Sequence, residues 1–362
     1  IQTPNIFNLN YTNQDFWSMK TRLIDYIKQN FSKDFTDFVE SSLGIMLIEN
    51  WAFIADTLSF KMDQIANEVF IDTVTEIDNA FRLAKLVGFK PQPPIAASSL
   101  WTASLNNPLL TDIRIPAPFD LSVSAGDTQI FIDLYPADAN NNPIFDQDII
   151  IPAGSVGNAS IVGLEGRTRV LEVIGTGAIS QNIALNESPV IYDSVRVTVD
   201  GVEWEQVEYF TDSQPRREYR VEFDSNYSAF VVFGNNRAGL IPSQGSKIRI
   251  TYRKGGGAIG NLVSNTVTKQ TIINTDGIEY PVPVSFSNYT RGRNGYDGDT
   301  IEDIRYKLPR WIRTQNRAVT GLDYKAIADQ FVTPYQGQIG KSNAVLRNYG
   351  CSGNIVDLYV LA

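Results

Sequence analysis

The sequence predicts a multidomain α+β chain: an N-terminal helical bundle segment, central all-β modules and a C-terminal α/β domain cut short. Three observations predict it. Apolar residues recur at helical spacing over residues 13–90. Short β-rich runs divided by turn residues fill the stretch from Leu100 to Val284. Helix-capping patterns return after Asp299. A length of 362 residues suggests two or three domains with cores of their own, while the composition shifts divide the chain into four segments, 1–92, 93–188, 189–290 and 291–362.

In chain order, Asn13 or Asp15 opens a first helix with Phe16, Met19, Leu23, Ile24 and Ile27 on one face. A second helix runs from near Ser42 to Phe70, about 43 Å at 1.5 Å per residue. A third starts at Thr75, with Asp78 placed as in a capping box, and stops at Gly88 with Pro91 beyond. Pro91, Pro93 and Pro94 make a stiff connector, since each fixes φ and lacks an amide donor. The expected strands include Gln129–Leu134, Asp148–Ile151, Arg167–Val173, Val195–Val199, Arg220–Phe223, Phe230–Phe233 and Lys247–Tyr252. Asp200-Gly201 is a two-residue hairpin signal. Thr300 caps a helix to Leu308, where Pro309 bends or ends it. Thr320-Gly-Leu-Asp323 is a capping box opening a helix with Tyr324, Ile327, Ala328 and Phe331. The final run, Ile355–Ala362, reads as a strand with no turn after it, hence the expectation of a domain cut short.

Composition removes several function classes. The chain has no histidine, so Ser-His-Asp and Cys-His catalysis and imidazole-held metal are excluded, and no enzyme activity or cofactor is expected. With 31 basic and 40 acidic residues the net charge is -9, which disfavours broad contact with nucleic acid or anionic lipid. Cys351 has no second cysteine to pair with, which fits assembly in a reducing cytoplasm. No unbroken run approaches the ~18 apolar residues of a membrane helix, so no bilayer span is expected. Ile1-Gln2-Thr3-Pro4 carries no secretory signal and no initiator Met, which predicts a native N-terminus further upstream.

The second helix carries the main functional signal. At about 100° per residue, Leu43, Leu47, Trp51, Ile54, Leu58 and Ile65 share roughly an 80° arc. Met46, Phe53 and Phe60 lie on a different side, and Glu49, Asp56 and Asp63 form an acidic stripe at heptad spacing. A helix apolar nearly all round must be covered nearly all round. Two companion helices cover part of it, and the rest predicts a helix from another chain. Ordinary cover by the β zone is the alternative. The acidic stripe reads as a solvated face, or else as a row that meets Arg or Lys of the partner helix.

Other motifs have bland readings. Gly255-Gly-Gly257-Ala-Ile-Gly260 matches a dinucleotide pattern, but strand or loop residues follow where a helix is needed. Asp138-Ala-Asn140-Asn-Asn142 resembles a calcium loop spoiled by Pro143 and Ile149. Asp297, Asp299, Glu302 and Asp303 read as a turn and a negative first helical turn rather than a metal site. Trp101, Trp204, Tyr209 and Tyr227 read as packing rather than a carbohydrate groove. Arg291, Arg293, Arg305, Arg310, Arg313 and Arg317 form a basic stretch, more in keeping with a protein interface than with nucleic acid.

Three segments together carry a family resemblance. The first is Gly44-Ile-Met-Leu-Ile-Glu49 through Ala52, Asp56 and Phe60 to Ala66-Asn67-Glu68-Val-Phe70-Ile-Asp72, with Leu83-Ala84 and Gly88-Phe89-Lys-Pro91. The second is Phe230-Val-Val-Phe-Gly234-Asn-Asn-Arg-Ala-Gly239-Leu-Ile-Pro242, then Gly245, Tyr252-Arg253 and Gly260-Asn261. The third is Asp297-Gly-Asp299-Thr-Ile-Glu302 to Arg305, then Arg317-Ala-Val319-Thr320-Gly-Leu-Asp323-Tyr324. In order and spacing they resemble the baseplate J-like family, which includes wedge proteins of contractile phage tails. Gln64, Asn294 and Asp299 depart from that family's usual Arg, Gly and Glu. The resemblance implies a structural wedge subunit in the tail baseplate of a virion, assembled in the host bacterial cytoplasm. It implies as partners other wedge subunits through a helical bundle, a second copy of the chain, and the tail hub or sheath-initiating subunit. The helix residues above would then form the partner-helix interface, with Glu49, Asp56, Asp63, Arg313 and Arg317 as interface charges. A tail-associated carbohydrate-binding or glycan-processing protein is the alternative.

Overall fold

A computed structural model of the protein describes residues 15–361 except 32, 34, 126–127, 211–214, 274–280, 315–316, 334–336 and 349–353. The chain divides into two units, Ile1–Phe89 and Lys90–Ala362.

The first unit is helical. Helix α1 (Phe16–Asn30) is capped by Asp15, whose carboxylate accepts a hydrogen bond from the Ser18 amide at 2.8 Å; Asn13 lies outside the described residues. Phe16, Met19, Leu23, Ile24 and Ile27 are half-buried, and α1 packs on helix α2 (Leu43–Asn67). Ser42 caps α2 by accepting from the Ile45 amide. The helix stops three residues short of Phe70 because the chain turns there, with the Thr73 hydroxyl donating to the Asn67 carbonyl. Helix α3 (Ile77–Leu86) departs from the local capping box expected at Thr75 and Asp78. Its start is held by Glu68, just beyond α2. That carboxylate accepts from the amides of Thr75 (2.9 Å) and Glu76 (3.3 Å), the Thr75 hydroxyl and the Asn79 side-chain amide (2.9 Å). Slight burial pushes the Glu68 carboxyl up, but these hydrogen bonds together hold it below the usual carboxylate range. Gly88 ends the segment at φ +76°, where only glycine is unstrained.

The second unit holds two large sheets. One has six antiparallel strands in the order Thr268–Ile273, Val282–Asn288, Ser98–Ser104, Gly157–Glu165, Thr128–Pro136 and Phe119–Ala125. Trp101, Ile132, Ile161, Val284 and Phe286 fill its core. The other has seven strands: Arg167–Ile174, Lys247–Lys254, Arg196–Val199, Val202–Gln206, Glu218–Phe223, Ala229–Phe233 and Asn182–Ala184. Its core is built on Val197, Trp204, Tyr219, Phe233 and Ile250. Asp200 and Gly201, at φ 50° and 79°, make the expected tight turn between Val199 and Val202. The sheets do not follow the linear boundary expected at 188/189. The seven-stranded sheet starts at Arg167, and the six-stranded one recruits Thr268–Asn288 from beyond it. Pairing is a long-range choice that composition along the chain does not reveal.

Buried charge joins the two sheets. Arg253 donates through Nη2 to the carbonyls of Leu164 (2.7 Å) and Glu165 (2.6 Å), and its Nε lies 3.5 Å from Asp133. Asp133 also accepts from the amide and hydroxyl of Thr168, at 2.8 and 2.6 Å. Burial pushes the carboxyls of Asp133 and Glu165 up, against the pull of Arg253 and their hydrogen bonds. The proline connector is docked rather than free: the Gln92 amide donates to Asp299 at 2.9 Å and the Tyr192 amide to the Pro94 carbonyl at 2.7 Å.

At the C-terminal end, helix α4 (Ile301–Thr314) continues past Pro309, so the proline does not end it. Proline removes one helical hydrogen bond, and the buried face formed by Ile304, Leu308 and Thr314 carries the helix past it. Helix α5 (Gly321–Ala328) opens on the expected Thr320/Asp323 capping box but closes at Asp329, leaving Phe331 outside and exposed. The terminal strand Asn354–Leu361 finds its neighbour in Lys341–Asn348, a pairing the sequence reading did not see.

Candidate partner-binding surface

Helix α2 is inverted relative to an ordinary core helix. Its buried residues are Ile45, Ile48, Ala52, Ser59 and Asn67, which centre about 180° from Leu43. Ile45 and Ile48 are the large apolar residues on that side, beside the small Ala52 and Ser59. The other large apolar residues point the other way. Leu43, Met46, Leu47, Trp51, Phe53, Ile54, Leu58, Phe60 and Ile65 are each between 47% and 70% exposed. Met62, 59% exposed, belongs to the same face and was missed by the sequence reading, although its spacing from Leu58 and Ile65 was signal enough. Covering a half-exposed side chain of this size is worth about 1 kcal/mol, so the face stores appreciable binding energy.

The acidic stripe lies on the other side from that face. Glu49, Asp56 and Asp63 are half-buried beside the intrachain contact, and Glu49 accepts an ion-paired hydrogen bond from Lys20 of α1 at 2.7 Å. At Glu49 the row meets a basic residue of α1 in the same chain, where a solvated face was the first expectation and a partner helix the second. Arg313 is exposed at the end of α4, and Arg317 lies in the field of Asp323. By length and composition alone, α2 is also long and apolar enough to cross a bilayer. Glu49 and Asp56 interrupt its apolar residues, so it holds no unbroken apolar run.

The motifs set aside in the sequence find internal employment. The amides of Gly256 and Gly257 donate to the Glu165 carboxylate at 2.9 and 2.8 Å, so the glycine loop cradles an anion of its own chain. Any Cβ at Gly257 would meet the Tyr296 carbonyl. Asp138 accepts from the amides of Asn140 and Asn142, closing a turn. Asp297 takes the Ala258 amide, Asp299 takes Gln92, Tyr296 and Lys307, and Asp303 takes Thr300. Desolvation beside these acids pushes the Tyr296 and Tyr227 hydroxyls up. Among the described residues no cluster of acids and cysteine is placed to hold a metal. Trp101 and Trp204 are buried in different sheets while Tyr209 is exposed, so the four aromatics make no common groove.

The stretch that contains α1, α2 and α3 is also the stretch with a relative. Residues 15–86 match the N-terminal domain of a bacteriophage baseplate protein. The match begins at the Asp15 cap and ends with α3. It covers about a fifth of the chain. It supports a phage baseplate protein with a structural role in the virion tail, associated with other baseplate components. No curated protein matches the chain.

Proposed function

We propose that the chain is a wedge subunit of a contractile-tail baseplate whose α2 is buried in a helical bundle with another wedge subunit. The observation that carries this reading is the exposed face of α2: its aromatic residues, all its leucines and both its methionines lie outward, while Ile45, Ile48, Ala52, Ser59 and Asn67 are buried. A partner helix suits that face better than lipid does. α1 packs alongside and carries exposed Arg22, Asp25, Lys28 and Gln29, polar groups that would be costly in a bilayer. Apolar burial supplies affinity in such a bundle, and rim charges supply register. The sequence resemblance to the baseplate J-like family extends the reading to the remaining domains. Through them, with Arg313 and Arg317 among the contact charges, neighbouring wedges and a second copy close a ring around the hub. That ring relays the rearrangement that triggers sheath contraction, which needs an interface with two packings of similar energy.

The test is co-expression with the adjacent baseplate genes followed by size-exclusion chromatography. A complex is expected with the wild type. Leu47→Asp and Ile54→Asp should each weaken it by roughly 2 kcal/mol or more, about thirtyfold, as for a central interface residue. Both side chains are exposed, so the variant chains should keep the wild-type circular dichroism. A wild-type chain that binds no neighbour, or that partitions instead into lipid vesicles, would end the wedge reading.

A further inference from the structure

A polar cleft of about 380 Å³ opens beside the six-stranded sheet, lined among others by Ser99, Asn140, Asn141, Thr290, Arg291 and Arg293. None of its lining residues is acidic, in a chain whose net charge is -9. Both arginines are exposed. Neither guanidinium has a hydrogen bond or ion pair among the described residues, unlike Arg253 or Arg305.

The walls are built firmly. Arg293 and Ser98 exchange backbone hydrogen bonds, each at 2.9 Å, and the Leu100 amide donates to the Thr290 hydroxyl at 2.7 Å. On the opposite wall the Asp138 carboxylate holds the Asn140–Asn142 turn. Between the arginines, Gly292 is pressed on backbone, where an added Cβ would meet the Gly260 carbonyl at 2.2 Å. With that residue facing inward, its neighbours on either side face outward together. On extended chain, positions two residues apart are offset by roughly 6.6 Å along the backbone at 3.3 Å per residue, which is also the offset of alternate positions on another extended segment.

We propose that this cleft receives an extended acidic segment of a neighbouring chain, with carboxylates at alternate positions on Arg291 and Arg293. The guanidinium fork matches a carboxylate in two parallel hydrogen bonds, and the asparagine and hydroxyl side chains suit the amides and carbonyls of the segment's backbone. The site is separate from α2, and its failure would leave the bundle reading untouched.

The test uses a fluorescein-labelled peptide of four Ser-Glu repeats, titrated into the full chain at low salt and followed by fluorescence anisotropy. Saturable binding is expected, falling about tenfold in the Arg291→Gln, Arg293→Gln double variant as charge-assisted bonds are lost. Hydrogen–deuterium exchange on the wild-type chain should slow at residues 98–100, 140–142 and 290–294 when peptide is added. The proposal is overturned by absence of binding, by equal binding of a Ser-Gln peptide or of the double variant, or by protection confined to other segments. A sulfated oligosaccharide that binds the cleft where the peptide does not would overturn it too.

Discussion

The two units bury opposite things. In the six- and seven-stranded sheets the largest side chains, Trp101, Phe286, Tyr219 and Phe233, are inside with almost no exposure. In α2 the largest, Trp51, Phe53 and Phe60, are outside, and the buried positions go to Ile45, Ile48, Ala52, Ser59 and Asn67. The same hydrophobic effect acts on both. The sheets are closed by their own chain, so apolar residues there report stability. A helix whose greasy face remains open reports an unmet contact, and its residues report affinity.

The sharpest way to break that comparison is to truncate in each unit. Trp101→Ala or Phe233→Ala should destabilise the isolated chain by about 3–5 kcal/mol, read as a shift of the urea midpoint. Trp51→Ala should move the same midpoint by no more than about 0.5 kcal/mol while weakening the co-expressed complex. Equal destabilisation by both would mean that α2 is covered within its own chain. Arg253→Leu should cost about 3–5 kcal/mol, because it strands the buried Asp133 carboxyl and the carbonyls of Leu164 and Glu165; an unchanged midpoint would remove the inter-sheet role of this arginine.

A smaller effect separates the units by pH. The folded-state value of Glu68 lies below its unfolded one. Its contribution is therefore present above the ordinary glutamate range, about 4.3, and is lost as pH falls through the lowered value. Asp133 and Glu165 have the opposite sign. Their folded-state values are raised, so their linked contribution is full below the ordinary carboxylate range and is lost as pH rises through the raised values. Glu68→Gln should flatten the acid-side loss in the helical unit and cost roughly 1 kcal/mol near neutrality through the weakened hold on α3. Glu165→Gln should flatten the opposite slope. Denaturation midpoints measured across pH 3 to 7 distinguish the two, and slopes of one sign in both variants would contradict the assignment.

Local signals in the sequence were reliable wherever the physics is local. Ser42, Thr320 with Asp323, Asp200-Gly201 and Gly88 each sit where their chemistry places them, and the expected strands recur within a residue or two at each end. Failures occurred where a distant group replaced a local one. Glu68 holds the start of α3 in place of the Thr75/Asp78 box, because a carboxylate brought round by the turn after α2 satisfies the same amides. The glycine loop reads in the sequence as a dinucleotide pattern without its helix, and the anion that its amides hold is Glu165, far away in sequence.

By itself the sequence determined that the N-terminal segment is helical, that the middle is β, and that α2 carries more apolar surface than a soluble helix normally displays. These follow from periodicity and composition, which act over a few residues. Only the tertiary structure decided which side of α2 faces α1, that the acidic stripe lies beside that contact, and which strands share a sheet. Those outcomes depend on pairing and packing between residues far apart in the chain, where the free energy belongs to the contact and not to either segment alone.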